Sequence, residues 1–268
     1  MLYNRENLCY NKEKFFRMVT IMPRILAIGN SFSEDATRYL YKISAADNKP
    51  MRLYNLYIGG CPLSRHFRLM KTGESAYDFQ FNGMKTGMSI SIPKAVLVDE
   101  WDYITLQQVS HQSPRYETYQ PYLNALAAYI RENNPKAKLM IHQTWAYEQG
   151  SRRLCEELGY ADQADMFRDV KASYDKAAAE IKADGIIPSG ELFQRMLKNG
   201  FDTVHRDTFH AHLGYGRYAL AALWYDLLTG NDVRGNTFRD LDVPSDGVDF
   251  ELIQKLAHEL ADEYRIRK

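Results

Sequence analysis

The sequence predicts an α/β protein in which helices cover both faces of a mostly parallel sheet. From residue 24 onward, short apolar segments of strand length alternate with longer segments of helical periodicity. Such alternation implies right-handed crossovers and a parallel sheet covered on both sides. No linker or internal repeat divides the chain, and 45% of its residues are hydrophobic, which is enough for a sizeable core. We therefore expect one domain over residues 23–268.

Five apolar runs are short enough to be buried parallel strands and too short for typical helices. Their positions divide the chain at intervals that leave room for a crossover helix between most neighbours. The predicted strands are residues 24–29, 51–57, 102–106, 138–141 and 186–188. The sequence therefore predicts a five-stranded, mostly parallel sheet.

The intervening segments carry apolar residues at three- and four-residue spacing, which is typical of amphipathic helices. Ser33 is the predicted cap of the first helix, with acidic residues in the turn that follows it. Pro121 suits the start of a later helix. Met166, Val170 and Tyr174, at four-residue spacing, mark a helix that runs to about Ile181. Residues 218–228 are also helical in pattern, and Gly230 ends this helix. These helices are predicted to cover the sheet.

Residues 61–100 interrupt the alternation of strands and helices. A strand-like segment, residues 77–81, is followed directly by Asn82-Gly83, a dipeptide typical of tight hairpin turns. We therefore predict a β-hairpin insertion near residues 77–92 that lies over the edge of the sheet.

Charge and composition exclude several classes of partner. The chain has 34 basic and 34 acidic side chains, so it lacks the basic excess with which proteins bind nucleic acids or membrane surfaces. No apolar run approaches the roughly 20 residues that cross a bilayer. Residues 1–22 have no apolar stretch that would make a secretory signal. We expect them to form a poorly ordered leader on a cytoplasmic protein.

A serine follows the first predicted strand, in the turn Gly29-Asn30-Ser31. A serine on a strand-to-helix turn presents its hydroxyl at the carboxyl edge of a parallel sheet, where ligands bind. The helix that follows directs its backbone N–H groups and the positive end of its dipole there. Such a turn is also typical of a phosphate-binding loop or a simple helix cap, so catalysis requires a base as well.

Asp207 and His210 supply a candidate base. An Asp three residues before a His can hold the imidazole Nδ1–H, which leaves Nε2 free to accept a serine proton. A solvated Asp beside a surface His is common. An Asp-x-x-His motif together with a serine after the first strand is much rarer than either feature alone. The combination predicts a catalytic triad of Ser31, His210 and Asp207.

These two end motifs resemble those of the SGNH (GDSL-like) serine hydrolase superfamily. The chain is similar to an uncharacterised bacterial branch that has Gly-Asn-Ser in place of the usual Gly-Asp-Ser, and the resemblance covers about residues 24 to 230. It implies a three-layer α/β/α sandwich of flavodoxin-like type. It also implies an esterase that needs no cofactor, with acetyl on a carbohydrate as the favoured acyl ester substrate.

The middle motifs of the superfamily are less well matched. Gly60, or alternatively Gly59, corresponds to the glycine whose N–H joins the Ser31 N–H in the oxyanion hole. The usual Gly-x-Asn-Asp block is replaced after the third strand, and the resemblance assigns its amide donor to Gln107 or alternatively Gln108. Loss of one such donor typically costs ~3 kcal/mol of barrier. An equally open alternative is that Gln107 packs the strand end.

Three further residues are predicted to bind substrate. Asn30 lies beside the nucleophile, and Trp145 and Tyr147 follow the fourth strand, where they would form a wall that stacks on a sugar ring. The alternative for the two aromatic residues is that they close the core.

Two other functions compete with the esterase hypothesis. His205, His210 and His212 lie close together in sequence and could bind zinc, but no HExxH motif occurs and a metal site leaves Ser31 unexplained. The three cysteines, Cys9, Cys61 and Cys155, form no CxxC pair that would suggest a zinc ribbon. We therefore predict no metal. The second alternative is a non-catalytic flavodoxin-like module that binds a glycan or a nucleotide.

Overall fold

The computed structural model describes residues 22–265, so all but the last residue of the predicted leader lies outside the described residues. At its centre is one seven-stranded sheet with the strand order β4-β3-β2-β1-β5-β6-β7. The strands are β1 Arg24–Gly29, β2 Arg52–Tyr57, β3 Tyr77–Phe81, β4 Met84–Ile90, β5 Tyr103–Leu106, β6 Lys138–His142 and β7 Gly185–Ile187.

Helices cover both faces of this sheet, as the predicted class requires. One layer consists of α1 Ser31–Thr37, α2 Leu40–Ala46, α7 Ser189–Lys198, α8 Tyr215–Thr229 and α9 Phe250–Tyr264. The other layer consists of α3 Leu63–Thr72, α4 Ile92–Leu97, α5 Tyr122–Asn133 and α6 Gln163–Ile181. The three-layer α/β/α arrangement is confirmed.

The prediction of five strands was wrong by two. The five predicted strands are present and parallel, and the sixth and seventh are the two strands of the hairpin. Rather than lying over the sheet edge, β3 pairs antiparallel with β2 and thereby extends the sheet. This pairing supplies partners for the backbone N–H and C=O groups that an edge strand would otherwise leave open.

The central helix α8 is the most deeply buried element of the helical layers. Most of its residues are buried, because it packs on α1 and α2 on one side and on α7 and α9 on the other. A helix that is apolar all round belongs in the interior of a large domain. No helix within residues 22–265 is both long enough and apolar enough to cross a membrane.

The strand order fixes where a ligand can bind. Ranked along the chain, the parallel strands run 2-1-3-4-5 across the sheet, the flavodoxin-like order. The chain moves outward from β1 in opposite directions, first to β2 and later to β5. A crevice forms at such a switch point, beyond the carboxyl ends of the strands. Here that point lies directly after Gly29, where the predicted nucleophile follows.

Candidate active site

Ser31, His210 and Asp207 lie together at the carboxyl end of β1. The Nε2 atom of His210 is 2.8 Å from the hydroxyl oxygen of Ser31. Its Nδ1 atom is 2.8 Å from Oδ2 of Asp207, and the other carboxylate oxygen accepts the backbone N–H of His210 at 2.9 Å. The three residues that the sequence predicted as a triad are therefore connected by hydrogen bonds.

The sharp turn before Ser31 depends on Gly29. A Cβ atom at this position would lie 2.6 Å from the hydroxyl oxygen of Ser33 and 2.9 Å from the side-chain amide carbon of Gln107. Contacts this short do not occur in relaxed structures, so the backbone could not approach the neighbouring strand and helix so closely with any larger residue. Glycine is thus required for the approach, although its φ is ordinary.

Asn30, not Ser33, caps the helix that begins with Ser31. The side-chain oxygen of Asn30 accepts the backbone N–H of Phe32 at 3.1 Å. The predicted cap, Ser33, lies inside the first turn, and its hydroxyl is 2.9 Å from both the Asn30 carbonyl and the Asn55 side-chain oxygen. The helix therefore begins three residues earlier than a cap at Ser33 would place it, and Ser31 occupies the first helical position.

The segment that carries the histidine is attached to α1 by a buried carboxylate, that of Asp35. Asp35 accepts hydrogen bonds from Arg206 at 2.9 Å, from Arg217 at 2.8 Å and from the backbone N–H of Ala211 at 3.0 Å. A buried carboxylate is stable only when paired and hydrogen-bonded in this way. Because Asp35 lies on the same helix as Ser31, it fixes the His210 segment relative to the nucleophile.

The electrostatics of Asp207 suit it to orient the histidine. Partial burial raises the pKa of the Asp207 carboxyl, but the hydrogen bonds from the His210 side chain and backbone outweigh burial, so the pKa lies below its ordinary value. The group is therefore ionised at neutral pH. An ionised carboxylate at this distance holds the imidazole Nδ1–H and leaves Nε2 as the acceptor that faces Ser31.

A cleft of about 350 Å³ opens over the Ser31 hydroxyl. Gly60 lies in its lining with a φ of +61°, a left-handed conformation that favours glycine. Within residues 22–265, neither the N–H of Ser31 nor that of Gly60 donates to a protein acceptor. The lining residues are Asn30, Ser31, Phe32, Glu34, Tyr57, Gly59, Gly60, Val109, Ser110, His111, Tyr147, Arg153, Arg206, Phe209 and His210.

The two glutamines predicted as oxyanion donors are not part of this lining. The amide NH₂ of Gln107 donates to the Asn30 side-chain oxygen at 2.7 Å. Gln108 accepts the backbone N–H of Leu63 at 2.9 Å and donates to the Thr118 carbonyl at 3.0 Å. Both side chains are buried. Their amides serve buried polar groups beneath the cleft, because such groups must find partners inside the protein.

His142 and Ser189, which the sequence analysis did not single out, complete a buried chain of hydrogen bonds. The Nδ1 atom of His142 is 2.8 Å from the Gln107 side-chain oxygen, and its Nε2 atom is 3.0 Å from the Ser189 hydroxyl. Burial lowers the pKa of His142 to about 3, so its ring is neutral. A neutral ring that donates from Nδ1 can accept from Ser189. The chain Ser189–His142–Gln107–Asn30 thus orients the Asn30 amide.

This orientation turns the Asn30 NH₂ group away from Gln107. The side-chain oxygen of Asn30 accepts hydrogen bonds from the Gln107 NH₂ and the Phe32 N–H. The NH₂ of Asn30 donates one hydrogen bond to the Cys61 carbonyl at 3.2 Å. An amide NH₂ has two hydrogens. Among the cleft-lining residues, Asn30 is the only one with a side-chain amide. The sequence signal for the chain of bonds was the polar residue His142 at the end of the fourth parallel strand.

The two aromatic residues of the predicted wall have different positions. Trp145 is fully buried: it stacks on Phe32 with ring centroids 4.1 Å apart and donates its indole N–H to the Phe209 carbonyl at 2.7 Å. It therefore supports the cleft from beneath and forms no wall. Tyr147 does line the cleft, and its hydroxyl is 2.9 Å from that of Ser110.

The neighbouring histidines use ring nitrogens to hold backbone. The Nε2 atom of His205 is 3.0 Å from the Ala146 carbonyl oxygen. The Nδ1 atom of His212 accepts the Gly214 N–H at 3.2 Å. Of the three histidines in this segment, His210 is the one that faces the cleft.

The fold is similar to that of proteins proposed to be SGNH and GDSL-like hydrolases. The structure is similar to a protein from Slackia heliotrinireducens proposed to be an SGNH hydrolase, with a TM-score of 0.54 and 23% identity over 75% of this chain and 96% of that one. It is also similar to a protein from Parabacteroides merdae proposed to be a GDSL-like lipase, with a TM-score of 0.52 and 17% identity over 78% and 97%.

The chain belongs to the family described as "Domain of unknown function (DUF4886)", which it matches over residues 24–259. A DUF4886 protein of known structure from Bacteroides uniformis is 34% identical over 89% of this chain and 94% of that one, with a TM-score of 0.79. No curated protein matches the sequence. The predicted resemblance to an uncharacterised branch of SGNH hydrolases is thereby confirmed.

Proposed function

We propose that this protein is a serine esterase that works through a covalent acyl-enzyme. The observation that carries the proposal is the continuous hydrogen-bonded series Ser31–His210–Asp207, with both links at 2.8 Å, at the floor of an open cleft. A serine needs an adjacent base that is itself oriented by a third group, and this series supplies both. The SGNH-type fold supports the same reaction class.

In the proposed reaction, His210 Nε2 takes the proton of Ser31 as its oxygen attacks the ester carbonyl. The resulting tetrahedral intermediate collapses, the imidazolium returns the proton to the leaving alkoxide, and the acyl group stays on Ser31. Water, deprotonated by His210, then attacks the acyl-enzyme. The imidazolium returns this proton to the Ser31 oxygen as the carboxylic acid leaves. Asp207 stays ionised throughout and stabilises the imidazolium.

Three groups are proposed to hold the oxyanion. Two are the N–H groups of Ser31 and Gly60, which lie in the cleft lining and have no protein acceptor among the described residues. The third is the Asn30 NH₂, because the buried chain through Gln107 and His142 fixes its orientation beside the nucleophile. Donors that are fixed before reaction stabilise developing charge without reorganising. Asn30 thus takes the place that the sequence assigned to Gln107.

Asn30→Asp distinguishes an oxyanion donor from a helix cap. Aspartate caps helices as well as asparagine does and can still accept from Gln107 and Phe32. It offers no N–H, so it loses both the proposed oxyanion donor and the hydrogen bond to the Cys61 carbonyl. We expect the fold to persist and kcat to fall by about 10²- to 10³-fold, the usual cost of one oxyanion donor, with a smaller change in KM. Steady-state kinetics together with thermal unfolding measure both effects. A variant with nearly normal kcat would leave Asn30 as a cap alone.

The proposed substrate class is a small acyl ester, with acetyl on a carbohydrate as the first candidate. The cleft volume of about 350 Å³ is at the lower end of small-molecule sites, which favours a short acyl group. Phe209, which is half-buried, supplies aromatic surface to the lining, and sugar rings pack well on such surfaces. Tyr147 lines the cleft but is itself buried.

The proposal is tested with a fluorophosphonate probe and a panel of esters. We expect the probe to label the wild-type protein at Ser31, labelling to be absent in Ser31→Ala and slow in His210→Ala. The panel consists of p-nitrophenyl esters of increasing acyl length and acetylated sugars, with Ser31→Ala as the background. A wild-type protein that neither reacts with the probe nor hydrolyses any ester above that background would favour the binding-module alternative instead.

A further inference from the structure

Two arginines line the cleft, and they differ in how their charge is compensated. Arg206 is 2.9 and 3.0 Å from the two oxygens of the buried Asp35 carboxylate and donates to the Ala211 carbonyl at 2.7 Å. Arg153 is exposed and forms no salt bridge with any carboxylate of residues 22–265. The uncompensated positive charge of the cleft therefore belongs to Arg153.

An aromatic contact holds this guanidinium beside the proposed base. The central carbon of the Arg153 guanidinium is 4.0 Å from the centroid of the Phe209 ring, and the centroid of that ring is 3.8 Å from the centroid of the His210 imidazole. A cation–π contact of this kind orients a guanidinium without neutralising it. The planar N–H edge also lies near the Tyr147 hydroxyl, and it can pair with a bidentate acceptor such as a carboxylate.

The walls of the cleft carry opposite charge. Near β2 and β3 the charged lining residue is Glu34, which accepts a hydrogen bond from Gln80 at 2.7 Å. On the side that follows β5 and β6, the lining contains Arg153 and His111. Partial burial, with the positive charges of Arg115 and Arg153, lowers the pKa of His111, so this ring is neutral near pH 7. Ser31 lies between the two walls, after β1.

We propose that Arg153 forms a subsite for an anionic group of the substrate, so that the preferred esters are those of alcohols that carry a carboxylate. This inference rests on the proposed esterase function and deepens it by naming the substrate class. The acyl group enters over Ser31, and the alcohol part extends towards the wall after β6, where its carboxylate pairs with the guanidinium. Acetyl esters of acidic sugars have this chemistry.

The test uses two matched acetyl esters, 4-acetoxybenzoate and its neutral isostere 4-acetoxybenzamide, with the 3-substituted pair as a second geometry. The readout is the ratio of kcat/KM for the carboxylate ester to kcat/KM for the amide. We expect Arg153→Gln to lower this ratio by about tenfold, a typical value for one partly exposed charge-assisted pair. High salt should reduce the wild-type ratio and leave that of Arg153→Gln unchanged.

Arg152→Gln is the matched control, since Arg152 is the preceding exposed arginine, pairs with Glu157 at 3.0 Å and does not line the cleft. It should keep the wild-type ratio. If both esters are hydrolysed and Arg153→Gln keeps that ratio, the anionic subsite is refuted while the esterase function stands. If wild type hydrolyses none of the four esters above the Ser31→Ala background but the fluorophosphonate probe still labels Ser31, the anionic subsite is refuted and the esterase function stands. If the probe also fails to label Ser31, the proposed function fails, and the inference fails with it.

Discussion

Replacement of Ser31 by alanine is expected to lower ester turnover by about 10⁴- to 10⁶-fold, the range typical of triad serines. The reason is that the hydroxyl, 2.8 Å from the His210 imidazole, is the atom that would form the acyl-enzyme. Without it, only the remaining oxyanion donors and binding contribute. Hydrolysis of p-nitrophenyl acetate by purified protein measures the loss. Unfolding temperature should change little, because within residues 22–265 the hydroxyl makes no hydrogen bond other than that with His210.

Ser110→Ala is the control for this experiment. Ser110 is the other serine of the cleft lining, and its hydroxyl is 2.9 Å from that of Tyr147 instead of a histidine. Its removal should change turnover by less than about tenfold, since it has no adjacent base. Similar losses in the two variants, or retained turnover in Ser31→Ala, would contradict the proposed nucleophile.

Asp207→Asn is expected to lower kcat by about 10⁴-fold while the fold persists. An asparagine at this position can present its NH₂ to Nδ1 of His210, and this favours the imidazole tautomer in which Nε2 carries the proton. The neutral amide also does not stabilise the imidazolium. The carboxylate is partly exposed, so its replacement removes little buried interaction. Kinetics with acetyl esters and circular dichroism test the two parts of this expectation.

Asp232→Asn provides a comparison in which an Asp beside a His lies outside the cleft. Asp232 is 3.4 Å from the His258 ring, and neither residue lines the cleft. This variant should keep wild-type turnover. Turnover near the wild-type level in Asp207→Asn would remove Asp207 from the mechanism and leave His210 to be oriented by its other contacts.

The parallel sheet and the positions of Ser31, Asp207 and His210 could be predicted from sequence because each depends on local pattern. A buried strand is recognisable from a short apolar run, and the turn Gly29-Asn30-Ser31 and the spacing of Asp207 and His210 are each contained in a few residues. That the two motifs meet follows from topology: residues after parallel strands converge at one edge of the sheet. The edge pairing of β3 with β2 depends on contacts distant in sequence, so the strand count was too low.

The direction of individual side chains could not be predicted in the same way. Gln107 and Trp145 follow strands, as functional residues do, yet both point into the interior. Gln107 does so because the buried ring of His142 and the side-chain amide of Asn30 both need a hydrogen-bond partner. Trp145 does so because Phe32 and the Phe209 carbonyl offer it a stacking surface and an acceptor. Such pairings depend on tertiary packing, and residue order does not reveal them.

The buried carboxylate of Asp35 has a consequence for how this protein acquires reactivity. The hydroxyl of Ser31 and the ring of His210 are 179 positions apart along the chain, and both are held from the same short helix, the first by its backbone and the second through Asp35. In the proposed mechanism, Ser31 therefore gains its base only when a late part of the polypeptide has docked on this helix. A partly folded chain would lack the histidine that the proposed attack on an ester requires.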